Sequence, residues 1–223
     1  LIEQSKNVSG YLKLLEVCTG SFPDILQGKV NATEIMFPDS SMKLVEGVYK
    51  GNRRNDSFNE LVAYGISAYI EEQIQHLKPG EKINILEVGA GTGSTSEIVL
   101  NKIGRDSQFI HYIYTDISKA FLMYGKEKFD SKYDFMDYQE LNIEQNIEKQ
   151  GIEKGTIHIV FGANVFHATK NIKNTLYHAK ELLRNDGMLV LNEGVERLDV
   201  LTLTFGLLDG WWMFDDPEVR IED

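Results

Sequence analysis

The chain predicts an α/β fold, a doubly wound parallel sheet preceded by a mainly helical segment, and three observations carry that expectation. Short apolar runs, Ile83–Val88, Phe109–Tyr114, Tyr138–Ile143, Ile157–Phe161 and Met188–Leu191, recur between longer polar or amphipathic stretches. The first passes straight into Gly89, Gly91 and Gly93, which permit a sharp turn from a strand into a helix. The second ends in Thr115 and Asp116, about 20 residues beyond those glycines, the spacing of a strand–helix–strand unit. A boundary near residue 80 follows, with residues 1–80 as a helical lid segment and residues 81–223 as the sheet-bearing core.

Composition narrows the class. With 223 residues the chain has room for one α/β domain and a smaller attachment. A formal net charge of −11, with Lys50, Arg53 and Arg54 as the only compact basic cluster, argues against nucleic acid as a partner. The single Cys18 leaves no internal disulfide and no zinc-ligand set, and no metal site is expected. No apolar run reaches the length of a membrane span and no signal core opens the chain, so a cytoplasmic protein is expected.

Taken in order, Tyr11, Leu12, Leu14, Leu15 and Val17 predict a helix that stops near Gly20, before Pro23. A longer helix is expected over Phe58–Leu77, ended by Pro79 and Gly80. The stretch between them, IMFPDSSMKLVEGVYKGNRRND, reads either as a packed surface loop or as a lid that excludes water from a site. Ser94, Thr95 and Ser96 are expected to cap the helix after the glycines. Gln145–Gly155 is polar, and Asn171–Leu183 is an amphipathic helix ending in the turn Arg184-Asn185-Asp186-Gly187. Leu201–Phe214, apolar and carrying Trp211 and Trp212, is either core or the wall of a pocket.

The carboxyl ends of the strands face one crevice, and the candidate chemistry gathers there. A dinucleotide fingerprint needs a third Gly or Ala three positions after its second glycine to pack helix on strand around a pyrophosphate, and Ser94 stands there instead, which argues against a nicotinamide-dependent reductase. The pattern Glu87-x-Gly89-x-Gly91-x-Gly93 instead resembles motif I of class I S-adenosylmethionine-dependent methyltransferases, where a carboxylate suits a cationic ligand. Asp116 is placed to accept hydrogen bonds from ribose hydroxyls, to cap the helix that follows, or both. Asn142 would meet the adenine. Asn164 and His167 follow the fourth strand into the crevice, and Glu193 ends the neighbouring fifth. A His suits proton removal near neutral pH, and a carboxylate on its other nitrogen would fix the tautomer.

Six segments together, GVYKGN, LEVGAGTG, YTDIS, NVFHATKNI, LNEG and LTFGLLDGWWMFDD, resemble the methyltransferase domains embedded in modular polyketide synthases. The resemblance implies a Rossmann-like class I methyltransferase sheet with S-adenosylmethionine as donor and S-adenosylhomocysteine as product. It implies an acyl thioester substrate on the phosphopantetheine of an acyl carrier protein, within a synthase whose other domains neighbour this one, and a monomer when excised. In the carbon-methylating members a His–Glu dyad matches His167 and Glu193, with His167 taking the proton between the ketone and thioester carbonyls. Oxygen methylation is the alternative, and an inactive scaffold module a third reading. The implied cofactor set is Glu87, Gly89, Ala90, Gly91, Gly93, Asp116, Ile117, Asn142, Ile143, Asn164 and Val165. The implied substrate set is Phe37, Tyr49, Asn52, Trp211 and Trp212. Two departures stand out: Asn142 occupies a position where relatives often carry Asp, and two closing strands of a full class I sheet are expected beyond Asp223.

Overall fold

The computed structural model describes residues 2–49 and 51–220, side chains included except at residues 2–7 and Ser40; Lys50 of the basic cluster lies outside the described residues. In chain order its helices are α1 (Ile2–Leu26), α2 (Ala32–Met36), α3 (Lys43–Tyr49), α4 (Arg53–Gln73), α5 (Ser94–Ile103), α6 (Lys119–Phe129), α7 (Ile172–Leu182) and α8 (Asp199–Thr202). Its strands are β1 (Ile83–Val88), β2 (Ile110–Asp116), β3 (Met136–Glu140), β4 (Ile157–Ala163) and β5 (Leu183–Asn192).

The chain divides into two compact units, Phe58–Glu193 and Leu1–Ser57 with Gly194–Asp223, and this division differs from the boundary read at residue 80. Packing explains the difference. Val62, Ala63, Ile66 and Ile70 of α4 join the same core as Ile83 and Ile85, so most of that helix belongs with the sheet. Phe205, Leu207 and Leu208 pack instead on a small core of Leu14, Cys18, Met36, Val45 and Val48. In that small unit α1 runs through Gly20 and Pro23, where a stop was expected. Leu14, Cys18 and Phe22, four residues apart, keep one face of the helix in the core, and that burial outweighs the local cost of the breakers.

The larger unit is a wholly parallel sheet in the order β3-β2-β1-β4-β5, a doubly wound arrangement. One face of β1 and β2 joins α4, α5 and the end of α6 through Ile83, Ile85, Tyr112, Val99, Leu100 and Phe129. The other meets α7 and the irregular segment after β3 through Leu86, Val88, Ala179, Leu182, Ile143 and Ile147. These strands are buried on both faces, which is why they read as continuous apolar runs. Arg184–Gly187, expected as a turn, is a bulge within β5: the register passes from Ile157 opposite Leu183 to Ile159 opposite Met188. A strand that begins directly at the end of α7 absorbs the extra residues in this way. Among the described residues no helix is long and apolar enough to cross a membrane.

Candidate active site

The glycine loop comes first. Gly89, Gly91 and Gly93 adopt φ of 60°, 57° and 69°, a region costly for any side chain. A Cβ at Gly89 would also lie 2.3 Å from Cγ2 of Val165, so the loop abuts the segment after β4. Its polar groups are turned inward. The Ala90 N–H donates to the Thr115 carbonyl, the Gly91 N–H to Asp116 Oδ2 and the Gly93 N–H to the Ala90 carbonyl, each at 2.9 Å. The Gly91 carbonyl accepts from the Tyr114 hydroxyl at 2.9 Å. These donors are engaged within the protein, and the loop acts through its shape.

The hydroxyls expected to cap α5 do other work, since Gly93 in a left-handed conformation is its N-cap. Thr95 Oγ1 donates to Asn59 Oδ1 at 3.1 Å, Ser94 pairs with Thr92 at 3.1 Å, and Ser96 Oγ donates to Glu87 Oε2 at 2.6 Å. Glu87 alternates with Ile83 and Ile85 along β1, so its side chain enters the α4–α5 core and is 2% exposed. The Tyr112 hydroxyl donates to the same Oε2 at 2.6 Å. Burial pushes this carboxyl up to about 7, against the opposing pull of the two hydroxyls. The structure thus places in the core a carboxylate that the sequence reading set beside the ligand.

Asp116 ends β2 with both oxygens engaged, Oδ1 accepting from the Ser118 N–H at 2.8 Å and Oδ2 from Gly91. Burial raises its carboxyl above the usual range, and those backbone bonds hold it down. Beside it Ile117 is exposed, an apolar surface at the crevice. Asn142 Oδ1 accepts from the Glu144 N–H at 3.0 Å, while the Gln150 amide brackets the Asn142 backbone with bonds of 2.8 and 2.9 Å. The Ile143 side chain is buried in the core, and its carbonyl accepts from His178 Nδ1 at 2.7 Å.

At the end of β4, Asn164 takes φ 53° and its N–H donates to the Asn192 carbonyl at 2.9 Å. The left-handed residue turns the chain so that the N–H groups of Val165 and Phe166 both donate to Glu193 Oε1 at 3.0 Å. Glu193 Oε2 accepts from His167 Nδ1 at 2.5 Å. A carboxylate only accepts, so this contact favours the tautomer with the proton on Nδ1, which in a neutral ring leaves the lone pair on Nε2. His167 is 37% exposed, open enough to meet a substrate. Asn192 donates in turn to Asn59 Oδ1 at 3.1 Å, tying β5 to α4 and α5. Asn59 was missed in the sequence, although a buried polar residue in register with Val62, Ala63 and Ile66 was its signal.

The remaining candidates lie in the small unit. Asn52 is buried and its Oδ1 accepts from the Arg54 N–H at 3.0 Å, which caps α4. The Tyr49 ring lies 5.9 Å from that of Phe205, and Phe37 packs on the same core. Trp212 is half exposed with its Nε1 donating to the Gly206 carbonyl at 2.7 Å, and Trp211 is partly buried. Among the described residues no three His, Cys, Asp or Glu side chains gather as a metal site.

A parallel 3-2-1-4-5 sheet with a glycine turn after β1 and an acid ending β2 is the arrangement of a class I S-adenosylmethionine-dependent methyltransferase. Residues 86–189 match the model of a methyltransferase domain family. Over 219 residues the chain is 45% identical to polyketide synthase PksR of Bacillus subtilis (strain 168), covering 98% of this chain and 9% of that protein. The crystal structure of the DszA carbon methyltransferase superposes with a TM-score of 0.93 at 44% identity, over 97% of this chain and 55% of that one. For the CurJ carbon methyltransferase the values are 0.88, 35%, 99% and 57%. The chain belongs to the methyltransferase domains of polyketide synthases, and it spans about half of those solved chains and less than a tenth of that synthase.

Proposed function

We propose that this domain methylates the α-carbon of a β-ketoacyl thioester carried on the phosphopantetheine of an acyl carrier protein, with His167 as the base and Glu193 as its orienter. The observation that carries the reading is the 2.5 Å contact of His167 Nδ1 with Glu193 Oε2, held against the segment that packs on the glycine loop. The likeness to two solved carbon methyltransferases favours carbon over oxygen as the acceptor.

S-adenosylmethionine, when bound, supplies an electrophilic methyl group. The residues present suit it: the loop of Gly89, Ala90, Gly91 and Gly93 offers a surface without side-chain bulk, Asp116 keeps acceptor capacity for ribose hydroxyls, and exposed Ile117 offers the adenine an apolar face. Asn142, Ile143, Asn164 and Val165 complete that set through the loops after β3 and β4. His167 Nε2 removes the proton between the ketone and the thioester, and the imidazolium so formed lies against the Glu193 carboxylate. The resulting enolate carbon is the nucleophile, and holding it in line is the larger part of the acceleration. We assign the acyl chain to aromatic residues of the small unit, Phe37, Tyr49, Trp211 and Trp212, with Asn52 as their support through its cap on α4.

Deuterium exchange at the α-carbon of a β-ketoacyl pantetheine thioester tests the base. In D2O with S-adenosylhomocysteine, the wild type is expected to accelerate exchange and His167→Ala to leave it at the background rate. Equal acceleration by both proteins would remove His167 from the role.

A further inference from the structure

We propose that Tyr114 is a positioning residue for S-adenosylmethionine, acting from beneath the glycine loop by fixing the Gly91 peptide. Three successive residues of β2 hold this loop. Tyr114 donates its hydroxyl to the Gly91 carbonyl, the Thr115 carbonyl accepts the Ala90 N–H, and Asp116 Oδ2 accepts the Gly91 N–H, each at 2.9 Å. The Gly91 residue is thereby held at both its N–H and its carbonyl, by side chains two positions apart on the adjacent strand. Glycine has more backbone freedom than any other residue, and each bond that fixes this loop of three left-handed glycines beforehand lowers what the ligand must order.

The site under the loop is shaped for this ring. At Gly125 of α6 a Cβ would fall 2.6 Å from Tyr114 Cζ and 2.9 Å from its hydroxyl oxygen. At Gly93 it would meet Phe129 at 2.6 Å and the same hydroxyl at 3.4 Å. The Tyr114 and Phe129 rings, 6.2 Å apart, form the floor. Burial, with the neighbouring Glu87 and Asp116 carboxylates, holds the phenol far above its ordinary range, which keeps its hydroxyl proton for the Gly91 carbonyl. Tyr112, two residues earlier on the same face, sends its hydroxyl to Glu87 and not to the loop. The two tyrosines therefore share one core but serve different partners, Tyr114 the loop and Tyr112 the buried Glu87. The inference holds whichever atom is methylated.

The test is Tyr114→Phe beside Tyr112→Phe, with calorimetric binding of S-adenosylmethionine and S-adenosylhomocysteine and steady-state kinetics. For Tyr114→Phe, Kd for both ligands and the KM for the donor are expected to rise about three- to tenfold, the size of one neutral hydrogen bond, with kcat at saturation within twofold. Tyr112→Phe is expected to lower Tm at least as much while Kd stays within twofold. Gly125→Ala, which displaces the ring without touching the loop, is expected to weaken binding as Tyr114→Phe does, even though Ala is the better helix former. An unchanged Kd in Tyr114→Phe would overturn the proposal, as would a kcat loss equal to the KM rise or the same Kd change in Tyr112→Phe.

Discussion

Replacing Glu193 with Gln separates two tasks that one carboxylate performs. Oε1 receives the N–H groups of Val165 and Phe166 at 3.0 Å each, and Oε2 receives His167 Nδ1 at 2.5 Å. An amide has only one accepting oxygen. If that oxygen takes the Oε1 place, both backbone bonds survive and the –NH2 group faces His167. The reverse orientation sets the –NH2 group against two N–H donors, and each such group deprived of a partner costs about 1–3 kcal/mol, so the first is preferred. His167 must then accept at Nδ1 and move its proton to Nε2, which removes the lone pair that would act as base. Glu193→Gln is expected to lower kcat by a factor on the order of 10²–10⁴ while stability changes by about 1 kcal/mol or less. Glu193→Ala, which strands both N–H groups, is expected to cost about 2–6 kcal/mol of stability as well. Single-turnover methyl transfer and thermal melts measure both effects. A Glu193→Gln protein that keeps a tenth or more of the wild-type rate would refute the tautomer argument.

Glu87→Gln should change the pH dependence of stability. Burial raises the folded carboxyl from 4.5 to about 7, so between those values the native state keeps a proton that the unfolded chain has released. That contribution is full below about pH 4.5 and is lost as pH rises through 7, amounting to about 3 kcal/mol. Both hydroxyls donate to one oxygen, which a Gln carbonyl can replace, so melts of Glu87→Gln between pH 5 and 7.5 should show a flatter slope; an unchanged slope would reject the buried acid. Asp116→Ala should weaken S-adenosylmethionine binding by about 1–3 kcal/mol, since it removes the proposed ribose acceptor and the bond that holds Gly91. Calorimetry showing unchanged affinity would reject both roles.

The fold was legible because doubly buried parallel strands are continuous apolar runs, and the glycine turn after Val88 marks which strand is central. The His167–Glu193 pair was legible too, because strand order places the ends of β4 and β5 side by side. What stayed hidden depends on partners distant in sequence. The serines and threonine after Gly93 have the composition of caps, yet Asn59 and Glu87 claim Thr95 and Ser96 from the core side. Alternation along β1 sends Glu87 inward with Ile83 and Ile85, a consequence of register that the glycine motif obscures. The α1 stop at Gly20 failed for the same reason, because burial of Leu14, Cys18 and Phe22 outweighs local propensity. Gln150, which brackets Asn142, lies in a stretch without periodicity, and its amide gives no sequence signal.

The most direct test of carbon methylation is intact-mass spectrometry of carrier-protein-bound acyl thioesters incubated with the domain and S-adenosylmethionine, comparing a β-ketoacyl substrate with its β-hydroxyacyl counterpart. One methyl mass gain is expected on the β-ketoacyl form, located at the α-carbon by fragmentation and absent with His167→Ala. Gain on the β-hydroxyacyl form alone, located at oxygen, would contradict carbon methylation.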